Sequence, residues 1–231
     1  MKPNKIYIIH YTRLTERYDN IMSFLENTDI PYEFILDYDK EENDEHTTGL
    51  FYEQNINKFN NKIKALWDEK DHQFRKLNNA EISCTIKHFI AIYKLSQECP
   101  EFGLILEDDA ILESDFTTRF IKNLEDTPTD WNAIFFGSGC GKNYIDSRLQ
   151  TAQNINNNIW KVEHPASNCA EAYLLKPDTA LQIYNAAIPF HLVSDWEIAY
   201  QLYVLNAKTY WWYPSLVQQG SKNGKYQSTL R

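Results

Sequence analysis

The feature that most constrains this chain is Gly103-Leu104-Ile105-Leu106 running directly into Glu107-Asp108-Asp109 and then Ala110-Ile111-Leu112. An apolar run without polar alternation is the pattern of a strand covered on both faces. Such a strand calls for helices above and below it, and so for an α/β fold. Ligands of open α/β sheets sit off the carboxyl ends of the strands, where the three acids fall. Buried charge without a partner is costly. Two or three carboxylates at a strand end suit a hard divalent cation with oxygen ligands, which also offsets their mutual repulsion. The competing reading makes them ordinary turn residues leading into the next helix.

The rest of the chain reads the same way. Ile6 to Ile9 is a β-type run, and Leu14, Tyr18, Ile21 and Leu25 then recur at helical spacing. Pro31 ends that segment and Tyr32 to Leu36 follows as a strand. The charged run Asp37 to Thr48 reads as a surface loop, and Leu50 to Lys76 as an irregular helix. A stronger helix spans Glu81 to Gln97, with Asn78 and Glu81 placed to cap it. Helices are also expected over 115–126, with Ser114 as cap, and over 178–187 and 195–205. Strands are expected at 133–136, 159–162, 172–175 and 208–213, and a long polar loop fills the stretch up to Asn158.

Composition narrows the function classes. The 231 residues, 43% of them hydrophobic, suffice for one core, and no repeat or linker divides them. A net charge of -9 without a basic stripe excludes a sequence-independent grip on nucleic acid. An acidic chain that binds an anion needs local Arg or Lys, or a bound cation. The 4 cysteines form no CxxC pair and read as free thiols. No apolar run is long enough for an integral membrane segment, and the N-terminus has no signal-peptide pattern. A cytoplasmic chain is expected, peripheral to a membrane only if its acceptor is lipid-linked.

Several segments, in order, resemble glycosyltransferase family 25, the bacterial lipopolysaccharide sugar transferases and their collagen-modifying relatives. They are IYIIHYTRLTER, LNNAEISCTIKHF (with Lys87 where serine is usual), LILEDDAIL, NCAEAYLLKPDTAL, LVSDWEIAYQL and YPSLVQQGSKNGKYQST. The resemblance implies one GT-A domain, a Rossmann-like α/β fold with a mixed central sheet. Its nucleotide-binding half covers about residues 1–112 and its acceptor half about 113–231. It further implies hexose transfer from a UDP-sugar to a saccharide or glycoconjugate hydroxyl, with inversion, aided by Mn²⁺ or Mg²⁺. A cation bridging the phosphates would act as a Lewis acid on the leaving group.

The resemblance also assigns roles. Asp109 would ligate the metal, Asp108 would bond the ribose or share the metal, and Glu107 would orient the site. Where a histidine often supplies a further ligand this chain has Gln218 and Gln219, so the metal would be held either by one protein carboxylate with phosphates and waters or also by the Gln219 oxygen. A base could stack on Tyr11, beside Thr12. Arg13 or Arg17 could reach phosphate, or Arg17 could be a solvated helix residue between Glu16 and Asp19. Glu81 and His88 share a helix face and either line the site or serve as cap and core residue. Asp195 is the candidate base, with Glu197 second. Ser194 and Glu197 equally fit a capping box, S-x-x-E. Trp196 could face the acceptor sugar. The sequence GSGCG lacks the following helix that a phosphate-binding glycine loop needs. Two other readings stand beside transfer: a glycoside hydrolase pairing Glu107 or Asp109 with Asp195, and a non-catalytic sugar-binding module of the same fold.

Overall fold

The structure is a computed structural model that describes residues 1–66, 73–138, 152–162 and 170–229. The strands are β1 (Ile6–Ile9), β2 (Tyr32–Ile35), β3 (Gly103–Glu107), β4 (Ala110–Leu112), β5 (Ala133–Phe135), β6 (Gln153–Asn156), β7 (Ile159–Val162), β8 (Ala172–Leu175), β9 (Thr209–Trp212) and β10 (Val217–Gln219). The helices are α1 (Thr15–Leu25), α2 (Glu45–Gly49), α3 (Ile56–Leu66), α4 (Asn79–Glu98), α5 (Phe116–Asp126), α6 (Pro177–Ala187), α7 (Ser194–Val204) and α8 (Gly220–Asn223).

Eight strands form one mixed sheet in the order β2-β1-β3-β8-β5-β9-β7-β6. β1 lies parallel to both β2 and β3, while β8 runs antiparallel between β3 and β5. This is the Rossmann-like α/β layout with a mixed central sheet. Side-chain alternation along the strands sorts the core onto two faces. Tyr7, Ile9, Ile105 and Tyr173 pack with Ile86 and Phe89 of α4, whereas Ile6, Ile8, Leu104 and Leu174 pack with Ile21 of α1 and Phe120 of α5. β3 is therefore buried on both sides, as its composition requires. Gly103 lets α4 sit hard against the sheet, since a Cβ there would lie 2.6 Å from Leu95 Cδ1.

α4 begins with the expected capping box. The Asn78 side chain accepts from the Glu81 N–H at 3.0 Å, and the Glu81 carboxylate accepts from the Asn78 N–H at 3.0 Å. Other boundaries differ from expectation. The apolar residues after the acids form a separate strand, β4, which pairs antiparallel with β10. The acids thus occupy the tight turn between β3 and β4. α5 starts one residue late, with Asp115 rather than Ser114 at the cap position and no side-chain capping bond. The S-x-x-E box at α7 does not form, because Val193 holds the cap position and Glu197 turns inward. The charged run 37–48 is only partly a surface loop: Asp39 is buried and Glu45 opens α2. The helix expected over 50–76 does not start until Ile56, because Tyr52 first bridges to Phe190. Part of the polar stretch before Asn158 pairs with β7 as the edge strand β6. Cys84 and Cys99 are free thiols, and Cys140 and Cys169 lie outside the described residues.

Candidate active site

The carboxyl ends of β1 and β3 are adjacent, and this brings His10, Tyr11 and the three acids together. Asp108 is buried and held by three partners. It accepts from Arg17 Nη1 at 2.8 Å and from the Tyr11 N–H at 3.2 Å, and pairs with His10 Nδ1 at 2.9 Å. Arg17 is buried as well, which removes the solvated-helix reading. Its second nitrogen donates to the Gln227 carbonyl at 2.6 Å, and its guanidinium lies over the Tyr226 ring. Its charge is thus committed to Asp108 and to the C-terminal segment. Arg13 is exposed and 3.3 Å from Glu41. Thr12 bonds Asp39 through both its N–H and its hydroxyl. The half-buried Tyr11 lines the pocket, its hydroxyl donating to Glu41 at 2.6 Å.

Asp109 differs from Asp108. Only 2% of it is exposed, and its Oδ2 accepts from the Ser221 N–H at 3.1 Å. Its Oδ1 is buried with no hydrogen-bond partner among the described residues. Burial, and then the charge of Glu107, push its pKa up to about 6. The β4–β10 register sets Gln219 opposite Ala110, next to Asp109. The Gln219 amide nitrogen donates to Glu107 Oε2 at 3.3 Å, while its Oε1 is also buried without a partner. Two orphaned oxygens on one pocket wall form the kind of donor set that a hard cation takes.

Glu107 also pairs with His88 Nε2 at 3.2 Å, and His88 Nδ1 meets the Tyr173 hydroxyl at 3.0 Å. Cys84, His88 and Glu107 offer ligand atoms within 4.8 Å of one another, a sulfur-nitrogen-oxygen set suited to softer ions. Burial, with the charges of Glu107 and Asp108 adding to it, holds the Cys84 thiol well above its ordinary range, so without a metal it is not a nucleophile.

A second pocket adjoins the first, and the two share Cys84, Glu107 and Gln219. Asp195 and Trp196, from the start of α7, line this second pocket. Asp195 is half-buried, and burial followed by the Glu107 charge pushes its pKa up to about 7. A group entering this pocket would therefore meet a carboxylate of raised basicity. Glu81 borders the same pocket while gripping Arg75 through both oxygens, at 2.5 and 2.7 Å. Glu197 does not belong to the site. It is fully buried away from both pockets and accepts from Lys62, the His191 and Leu192 N–H groups and Gln201. With its lone pairs saturated, it cannot take a proton from a substrate.

The sequence matches the family model described as "Glycosyltransferase family 25 (LPS biosynthesis protein)" over residues 3–198. The chain belongs to glycosyltransferase family 25. No curated protein matches it. A solved structure, that of mouse xyloside xylosyltransferase 1 in its apo form, is similar at a TM-score of 0.36 and 9% identity, over 89% of this chain and 70% of that one. As a family 25 glycosyltransferase the chain acts on a sugar donor and an acceptor.

Some parts of this glycosyltransferase's site were not singled out from the sequence. His10 joins the Asp108 network, and the signal was only its place at a strand end. Lys87, noted as a departure from the family pattern, is 2% exposed and donates to the carbonyls of His10 at 2.5 Å and Leu36 at 3.1 Å, and to Asp39. Tyr38 sits at φ 68°, a region that side chains rarely adopt, and its carbonyl accepts from Ser83. That turn aims Asp39 back at Lys87. Burial opposes the charge on Asp39, but the Lys87 and Thr12 bonds outweigh it and its pKa is lowered. Ser228 and Thr229 reach back to line the first pocket, which local sequence does not foretell.

Proposed function

We propose that this glycosyltransferase moves a hexose from a UDP-sugar to a hydroxyl of a saccharide or glycoconjugate acceptor, with inversion and with Mn²⁺ or Mg²⁺ as helper. The observation that carries the reading is the junction of two pockets at Glu107 and Gln219. One pocket holds the engaged Asp108 and the orphaned Asp109 oxygen, and the other holds the basic Asp195.

In this reading the first pocket takes the donor. Tyr11 offers its ring to the base, and Asp108, fixed by Arg17 and His10, offers a rigid acceptor for a ribose hydroxyl. Asp109 Oδ1 and Gln219 Oε1 are the atoms that fit the cation, which when bound supplies Lewis-acid neutralisation of the diphosphate. The acceptor enters the second pocket, where the Trp196 ring offers a face to the sugar. Asp195 takes the proton of the attacking hydroxyl. A base works best with its pKa near the working pH, and burial has moved Asp195 there. A single base on the side away from the leaving group suits one displacement, and so inversion.

The test is a thermal-shift titration with UDP, GDP, CMP and several UDP-sugars, with and without Mn²⁺, on wild type and Asp109→Asn. A ligand at ~100 times its dissociation constant adds about 2.7 kcal/mol to stability. A Mn²⁺-dependent rise with one UDP-sugar, lost in Asp109→Asn, is expected. The absence of any nucleotide response would return the chain to the sugar-binding reading.

A further inference from the structure

The donor pocket lies in an acidic protein, so the charge that meets a diphosphate has to be found locally. Most of the cations around the two pockets are already committed. Arg17 is spent on Asp108, Lys87 on Asp39, and Arg75 on both oxygens of Glu81. Lys40 lies over the Tyr11 ring at 5.0 Å, at the end assigned to the base. Lys222 is different. It is exposed, and among the described residues no acid pairs with it. It stands on α8, three positions after Gln219, one of the three residues common to both pockets, and it lines the second pocket with Asp195. Its charge is felt at Asp195, where it acts to lower the pKa against burial and Glu107.

We infer that Lys222 contacts the leaving diphosphate at the junction of the two pockets, as a mobile positive group in addition to any metal. The inference rests on the donor reading above. In the transfer step the bond from the anomeric carbon to the terminal phosphate oxygen breaks, and its electron pair stays on that oxygen. The acceptor oxygen forms the new bond to carbon, and its proton passes to Asp195. Negative charge therefore grows on the phosphate beside the junction. An ammonium on a flexible four-carbon stem can follow that oxygen as a point charge. Lysine clamps on a phosphate that gains charge in the transition state are a common source of rate acceleration.

Binding of UDP and of uridine to the full chain, measured by calorimetry with and without Mn²⁺, tests this. Wild type, Lys222→Gln and Lys222→Arg are compared, with melting temperature as the folding control. The expectation is that Lys222→Gln weakens UDP about tenfold, leaves uridine and the melting temperature unchanged, and flattens the salt dependence of UDP binding, with Lys222→Arg restoring most of the loss. If wild type does not prefer UDP over uridine, the donor reading fails and takes the inference with it. A wild type that prefers UDP, beside a Lys222→Gln variant with the same preference and salt dependence, overturns the inference alone.

Discussion

Two carboxylates on the same helix, Asp195 and Glu197, show how this molecule separates chemistry from framework. Glu197 accepts from four donors and has no exposed surface. It ties α3 to the turn before α7, and the half-buried ring of Tyr200 lies beneath the same Lys62. Asp195, two residues earlier, accepts from the Trp196 N–H at 2.9 Å and otherwise faces a pocket. One acid has its lone pairs filled by fixed donors, whereas the other keeps lone pairs open to the pocket. The same contrast recurs at the β3–β4 turn, between Asp108 with three partners and the half-satisfied Asp109.

The largest effects should divide along that line. Asp195→Asn is expected to lower kcat by about 10²–10⁴-fold, the usual contribution of a general base, while nucleotide binding stays intact. Single-turnover kinetics with calorimetric donor binding would check this, and near-normal turnover would remove Asp195 as base. Glu197→Ala should do the reverse. It leaves Lys62 buried without its acid, at a cost of about 3–5 kcal/mol, read as a shifted urea midpoint, with turnover per folded molecule little changed.

A smaller effect should follow from Gly220→Ala. A Cβ there would lie 2.5 Å from Tyr226 Cδ2 and 2.9 Å from the Asp109 carbonyl. Overpacking of this kind costs about 1–3 kcal/mol and would displace the C-terminal segment from the first pocket. Weaker nucleotide binding together with a lower melting temperature is expected. An unchanged nucleotide affinity would separate that segment from the site.

The pH dependence sharpens the comparison at the smallest scale. As the proposed base, Asp195 acts deprotonated, so the transfer rate should fall as pH drops through about 7. Stability runs the other way for these groups. The folded pKa values of Asp195, about 7, and Asp109, about 6, lie above the unfolded carboxylate value, so the folded state holds their protons more tightly. Their contribution is present in full below the unfolded value, near pH 4, and is lost as pH rises through about 6 and 7. Asp195→Asn should therefore be more stable than wild type at pH 8 and equal to it near pH 4, as judged by urea unfolding at the two pH values. Glu197→Ala should be less stable at both.

Much of the frame was legible in the chain. The apolar run ending at Glu107, the Asn78–Glu81 box and the alternation in β1 and β8 are local patterns, and local patterns report local structure. The misread boundaries have physical causes as well. Ser194 fits a capping box until Lys62 draws Glu197 inward, and Asp39 reads as a loop acid until Lys87, 48 residues away, pairs with it. Arg17 reads as a phosphate contact or a surface residue until Asp108, 91 residues on, claims it.

The sequence by itself determined that this is an α/β chain with acids at the carboxyl end of a buried strand, because hydrophobic periodicity and strand-end chemistry are written within a few residues. Only the tertiary structure decided which acids are free. That depends on donors brought from elsewhere in the chain: Ser221 and Gln219 reach the acids from 112 residues away, and Lys62 reaches Glu197 across 135. A carboxylate's role follows from how many of its lone pairs those donors leave unfilled, and no single segment carries that count.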